Sequence, residues 1–199
     1  GGTASGKSAI AKYLLNYFGN DECAVIKVDS YYHDLKHMTM EEREKQNFDS
    51  PNAIDFITLT KDIKSLDNGL NVKVPIYDYK THTRTDRFKI IEKQKIIIIE
   101  GLFSLYNEYV KSLLDIKVFV DTPESIRLKR RMKRDLEERN RTRESILRQF
   151  TKMVSPMHDE FVEPTRLCAN LIIKTGVKNT VAINELISKI KYVQNNLNL

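Results

Sequence analysis

The chain opens Gly1-Gly2-Thr3-Ala4-Ser5-Gly6-Lys7-Ser8, a complete G-x-x-x-x-G-K-[ST] match that leads into a helical pattern. Glycines at these places let the backbone curl so that successive N–H groups face phosphate oxygens, with a helix N-terminus behind them. Lys7 is then placed to reach the β- and γ-phosphates, and the Ser8 hydroxyl to ligate Mg²⁺. All eight residues are therefore read as a triphosphate cradle. A glycine-rich helix cap is the competing reading, and it leaves most of the eight positions unexplained. Such a loop normally follows a buried strand, and nothing precedes Gly1 in the sequence, so the fold's first strand is expected ahead of residue 1.

The rest of the chain carries the elements such a loop needs. Ile10, Ala11, Leu14, Leu15 and Phe18 recur at helical spacing after Ser8, and Gly19 closes that helix. Aliphatic runs at 23–28, 95–100, 116–120 and 169–174 predict buried strands. Helical patterns fall at 56–66, 105–114, 123–139, 143–153 and 179–194. Strands alternating with helices predict an α/β fold, a three-layer P-loop sandwich around a mostly parallel central sheet. Residues 72–91 break the rhythm and predict a small β-hairpin insertion interrupted at 77–84. No repeat or linker divides the chain, so 1–199 is read as one kinase domain with a mobile lid at about 127–148.

Charge enters because the net value of +6 invites a nucleic-acid reading. Residues 127–148 contain ten Lys/Arg and four acidic residues, and the remainder carries 23 of each sign. A surplus confined to one segment suits a small, highly charged ligand at least as well as a long polyanion. No aliphatic run approaches membrane-spanning length and no signal-peptide pattern is present, so no membrane partner and a cytoplasmic setting are expected. Cys23 and Cys168 are read as buried free thiols.

Ligands of doubly wound sheets bind beyond the carboxyl ends of the strands. Asp29 follows the run 23–28 and Glu100 ends the run 96–99, which delivers both carboxylates to the edge that holds the cradle. One can accept a proton from an attacking hydroxyl while the other holds Mg²⁺ or its waters. Taken singly, Asp29 reads equally well as a turn or cap residue and Glu100 as a strand terminator. Arg127, Arg130, Arg131 and Arg134 are spaced i, i+3, i+4, i+7 on one helical face. Stacked guanidinium groups repel, and a triphosphate relieves that repulsion with bidentate partners. Arg139 and Arg141 follow where a closing segment could cover the γ-phosphate. The bland alternative is a basic surface helix, partly offset by Asp135, Glu137 and Glu138.

The residues alone thus describe a Mg²⁺-dependent P-loop kinase or NTPase without an acceptor. The blocks GGTASGKS (1–8), VDSYYHD (28–34), NFDSPNAID (47–55), VPIYDYKTHTR (74–84), IIIIEGL (96–102), FVDT (119–122), RRMKRDLEERNR (130–141) and EPTRLCANLII (163–173) resemble the uridine-cytidine kinase family, in the family's order. The resemblance implies transfer of the γ-phosphate of ATP or GTP to the 5′-hydroxyl of uridine or cytidine, giving UMP or CMP in pyrimidine salvage. It implies Asp29 as general base, and Tyr32, Asp49, Tyr77, Tyr79, His82, Arg131, Arg141 and Gln149 at the nucleoside. Arg134 and Arg139 would face the phosphates, Ser8, Asp29 and Glu100 the Mg²⁺, and Lys7 the transferred group. It also implies a homotetramer. Two positions depart from the family's pattern: Asn140 stands where Gly is usual, and Tyr31 where Phe is usual.

Two other functions compete. One is a related P-loop kinase acting on another alcohol, such as ribulose phosphate or pantothenate; a phosphorylated sugar would need basic groups beside the acceptor, where the hairpin at 77–82 offers aromatics. An NTP-driven nucleic-acid binder would need basic surface beyond the one stripe. His33 and His37 are spaced for a metal pair but lack a third ligand at helical reach.

Overall fold

Gly6 has φ 109°, a left-handed conformation open to glycine, and it caps the start of α1 (Lys7–Phe18). Ile10, Ala11 and Leu14 form the buried stripe of that helix, and Gly19 closes it with its N–H on the Leu15 carbonyl. This computed structural model describes residues 1–139 and 141–197. Asn140, which stands where the family's pattern usually has Gly, lies outside the described residues.

β1 (Cys23–Lys27) runs into a short 3₁₀ turn, Val28–Tyr31, which carries Asp29. α2 (Met40–Glu44) starts with a reciprocal capping box between Thr39 and Glu42. α3 (Phe56–Asp67) starts on Asp55, whose carboxylate accepts from the Thr58 N–H. The expected hairpin follows as β2 (Val72–Asp78) and β3 (Thr83–Ile91), antiparallel with a register shift between Pro75 and Tyr77. β4 (Ile96–Glu100), α4 (Glu108–Ser112) and β5 (Val118–Asp121) come next, followed by α5 (Glu124–Glu138) and α6 (Arg143–Gln149). The chain continues in helix through π-helical stretches on either side of α7 (Ser155–Met157), reaching Val162. β6 (Leu171–Lys174) and α8 (Thr180–Leu197) complete the chain.

All four expected core strands are present, within two residues of the predicted ends. The helix expected at 105–114 shrinks to α4, because Asn107 caps it late by accepting from the Val110 N–H. The helix expected at 143–153 instead continues for nine residues beyond that prediction. The central strands form two parallel pairs rather than one continuous sheet: β1 with β4, and β5 with β6. Among the described residues no ladder joins β4 to β5. A cavity of about 620 Å³ lies there, lined by Ile98, Val118, Val120, Ile10, Leu14 and Leu186 among others. One apolar cluster packs β1, the hairpin and α3, with Ile26, Leu59, Val74 and Phe103 at its centre. The other joins α1, β6 and α8 through Ile10, Leu14, Ile173 and Ile183. No described helix is long and apolar enough to cross a membrane.

Cys23 is buried and Cys168 is only half-buried, so the expectation of two buried thiols holds for the first alone; both are free. Lys111 donates to the Cys168 sulfur at 3.5 Å, which explains why that thiol sits near the surface. Tyr31 is fully buried, and the hydroxyl that distinguishes it from Phe donates to Asp62 Oδ2 at 2.7 Å. The departure is therefore accommodated.

Gly101 sets how closely β4 and the turn after β1 can approach. A Cβ there would lie 2.5 Å from Val28 Cβ and 2.9 Å from Cγ2. Gly101→Ala is expected to force the two strand ends apart, at a cost of about 1–3 kcal/mol. For a chain this long the thermal midpoint should fall by roughly 2–10 °C. An unchanged midpoint in thermal unfolding would show that the strand ends are not so constrained.

Candidate functional site

The phosphate-binding loop is held from several sides. Thr122 at the end of β5 donates to the Ser5 carbonyl at 2.9 Å, and Arg130 of α5 donates to the same oxygen at 3.1 Å. Lys7 Nζ spans the start of the loop, donating to the carbonyls of Gly1 at 2.9 Å and Gly2 at 2.7 Å. Gly1, Gly2, Thr3 and Ser5 are buried, Ala4 and Gly6 half-buried, and Ser8 exposed at the mouth. Ala4 has φ 54°, a strained conformation for a residue with a Cβ. The curl expected from the sequence is therefore present in the backbone.

Parallel pairing of β1 with β4 puts Lys27 opposite Glu100, so both strands end at the same edge. Ser8 Oγ donates to Glu100 Oε1 at 3.1 Å, joining the loop to β4. Burial raises the Asp29 pKa above the usual carboxylate range, and Glu100 raises it further, while Lys7 and Arg139 oppose the shift. Lys7 is moved the other way: burial lowers its pKa, against the pull of Glu100 and Asp29. Two carboxylates delivered to one strand edge suit a divalent cation. Among the described residues no group of three or more His, Cys, Asp or Glu could hold a metal by protein ligands alone. Ser8, Asp29 and Glu100 fit Mg²⁺, which keeps most of its shell as water and phosphate oxygens.

A second wall is aromatic. Tyr32 packs edge-on against Phe48 at 5.3 Å and tilts against Tyr77 at 5.1 Å, and Tyr77 meets Tyr79 at 5.4 Å. The Tyr32 hydroxyl donates to the Phe48 carbonyl at 3.0 Å. His82 stacks on Phe48 with centroids 4.8 Å apart and planes 13° apart. It holds φ 53° at the hairpin turn, and burial lowers its pKa. A neutral imidazole offers both a donor and an acceptor to a base edge. The Tyr77 hydroxyl is buried without a hydrogen-bond partner among the described residues. Phe48 was missed by the sequence reading. The signal was its place beside Asp49, but its stack depends on a residue 34 positions away in the hairpin.

Between the two walls lie the arginines. Arg131 is buried and lies 3.5 Å from Asp49 Oδ1. It donates to Thr3 Oγ1 at 3.2 Å and to Gln149 Oε1 at 3.0 Å. Arg141 shares that Gln149 oxygen and donates to Ser145 Oγ at 2.8 Å. Arg134 donates to Asp135 Oδ1 at 2.8 Å, and the Arg139 guanidinium lies 5.1 Å from the Tyr79 ring centroid. The structure thus brings together every residue expected at the acceptor and the phosphates. Three details of the stripe differ from the sequence reading. Arg127 is buried behind the loop and donates to the Thr122 carbonyl at 3.1 Å, away from the cradle's open side. Arg130 braces the loop backbone. Asp135 is fully buried, where a basic surface helix would have left it solvated.

With Arg127 and Arg131 buried and Arg130 committed to the loop, the stripe is no open track for a polyanion. His33 and His37 are exposed.

A sequence profile of the Phosphoribulokinase / Uridine kinase family matches residues 1–182. The chain is 46% identical to a uridine kinase of Clostridium perfringens over 193 residues, covering 97% of this chain and 93% of the relative. It is 43% identical to a uridine kinase of Lactococcus lactis subsp. cremoris over 195 residues, covering 98% and 95%. Among solved structures, phosphoribulokinase from Rhodobacter spheroides matches with a TM-score of 0.66 at 13% identity, over 87% of this chain and 67% of that one. The structure described as a possible uridine kinase from Bacillus stearothermophilus matches at 0.59 and 18% identity, over 86% and 84%. At such identities the structural matches speak for the fold.

Proposed function

The chain belongs to the phosphoribulokinase / uridine kinase family, and from that premise we propose that it is a uridine-cytidine kinase, moving the γ-phosphate of ATP or GTP onto the nucleoside 5′-hydroxyl. The near-full-length relatives at 43–46% identity support the reaction. The observation that carries the acceptor is the aromatic wall of Tyr32, Phe48, Tyr77, Tyr79 and His82 facing Asp49 and Arg131. Aromatic faces suit a pyrimidine, and a buried carboxylate suits the vicinal hydroxyls of ribose, accepting two hydrogen bonds at once.

Asp29 takes the proton of the 5′-hydroxyl as that oxygen attacks the γ-phosphorus. Its raised pKa brings it nearer to neutral, so the transferred proton is better held than on an ordinary carboxylate. Lys7 and the loop N–H groups hold the phosphates, and Arg134 and Arg139 neutralise charge spreading over the transferred group. Ser8 and Glu100, with Asp29, would hold Mg²⁺, which when bound screens the phosphate charge. Arg131, Arg141 and Gln149 orient the acceptor. The proposal includes a cytoplasmic setting, which the two free thiols suit, and a homotetramer on family resemblance.

A related kinase for ribulose phosphate is less well supported, because the near-full-length relatives at 43–46% identity are uridine kinases. The deciding experiment offers uridine, cytidine, ribulose 5-phosphate and pantothenate as acceptors, with ATP or GTP and Mg²⁺. Transfer to the two pyrimidine nucleosides is expected. Transfer to ribulose 5-phosphate with none to uridine would refute the proposal.

A further inference from the structure

Asp135 is the least exposed charged residue in α5, and four guanidinium groups surround it. Arg134 makes two 2.8 Å approaches to Oδ1, from Nε and Nη2, and Arg139 Nε lies 3.6 Å from the same oxygen. Arg131 Nε lies 3.4 Å from Oδ2, and Arg141 Nη1 lies 3.8 Å from it. One carboxylate oxygen thus faces the pair assigned to the phosphates, and the other faces the pair assigned to the acceptor. The Arg141 N–H also donates to the Asp135 carbonyl at 3.3 Å, which fixes the chain beyond the helix end to the same residue.

We propose that Asp135 is a positioning residue, a buried counter-ion that gathers the donor-side and acceptor-side arginines around one site before either substrate arrives. The inference rests on the kinase reading above. Four like charges within reach of one another repel strongly in a partly desolvated site. Without a central anion they would splay toward water, and each substrate would have to collect them again at an entropic cost. The contacts on Oδ2 are ion-pair distances without hydrogen-bond geometry, since Oδ2 and Arg131 Nε are unbonded among the described residues. They hold the acceptor-side pair by charge alone. Arriving phosphate oxygens replace the contacts that Arg134 makes to Oδ1 on the donor side, while Oδ2 keeps the acceptor side in place. Arg139 already leans on the Tyr79 ring of the hairpin, so the cluster reaches both walls.

The test compares Asp135→Asn and Asp135→Glu with the unmodified chain. It reads kcat, the KM for uridine, the Kd for a non-hydrolysable triphosphate analogue and the thermal midpoint. Asparagine keeps the shape and removes the charge, so kcat should fall about 100-fold through misplaced groups, while the analogue's Kd stays close to that of the unmodified chain because the gained positive charge offsets the cost of collecting the arginines. A merely structural role would not produce that split between kcat and Kd. Asp135→Glu restores the charge one methylene away and should recover part of kcat. A kcat within about twofold of the unmodified chain for Asp135→Asn overturns the proposal. So does weaker analogue binding that falls together with the thermal midpoint. If the asparagine variant fails to fold, Asp135→Glu decides: an unaltered kcat sinks the idea, and a loss at unchanged midpoint supports it. Absence of transfer to any nucleoside by the unmodified chain would defeat the kinase reading instead, and the analogue-binding comparison would still judge Asp135.

Discussion

Asp29→Asn is expected to lower kcat for uridine by about 10³-fold, within the span that general-base removal costs, while triphosphate binding stays near normal. The amide keeps the shape of the side chain at the turn after β1 and cannot take the 5′-hydroxyl proton. Stability should move the opposite way. The folded-state pKa of Asp29 is raised, chiefly by burial and then by Glu100, so the ionised carboxylate is disfavoured in the folded chain. A group of this kind subtracts its full penalty above its folded pKa; the penalty fades as pH falls below that value and is gone below the unfolded carboxylate pKa. Neutral asparagine removes the penalty at every pH. The variant without ligands should therefore melt at or above the unmodified chain at pH 7, with the difference shrinking in acid.

The same shift sets the acid limb of activity. The base works only when ionised, so kcat/KM for uridine should fall on acidification at a pH above the ordinary aspartate value of about 4. A variant that turns over normally would remove Asp29 from the role of base.

How much of this could be read from the chain depends on how local each feature is. The cradle is legible because its chemistry is written in consecutive residues, and Gly6 shows the backbone sign the spacing requires. The strands carrying Asp29 and Glu100 are legible because burial on both faces demands unbroken aliphatic runs. Arg131 and Asp135 are legible as an i, i+4 pair, but nothing in the spacing says that Arg139 and Arg141 return to the same carboxylate from beyond the helix end. Arg127 shares the period of the stripe, yet it turns away because Thr122 offers a carbonyl at the base of the helix. Phe48 meets His82 only through the hairpin's fold, and helix period is blurred from Phe150 to Val162 because π-helical turns shift the register.

Lys7→Met carries the other large effect. In the unliganded site the ammonium holds the first two carbonyls of the loop, so it serves as a structural pin as well as a charge aimed at the phosphates. Burial lowers its pKa, and the side chain is half-buried, so water shields its field only in part. Removing one preorganised cation from such a site costs about 10²–10³-fold in kcat, and the Kd for triphosphate should weaken as well. A second consequence follows from charge alone. Lys7 is the largest influence holding the Asp29 pKa down against burial and Glu100, so in Lys7→Met the residual activity should show its acid limb at higher pH than the unmodified chain. Lys7→Arg should restore the charge and that limb, but not the rate, because a planar fork does not take the place of a compact ammonium between two loop carbonyls. If Lys7→Met keeps kcat/KM within about threefold, the loop's N–H groups suffice for the phosphates and Lys7 is only the pin.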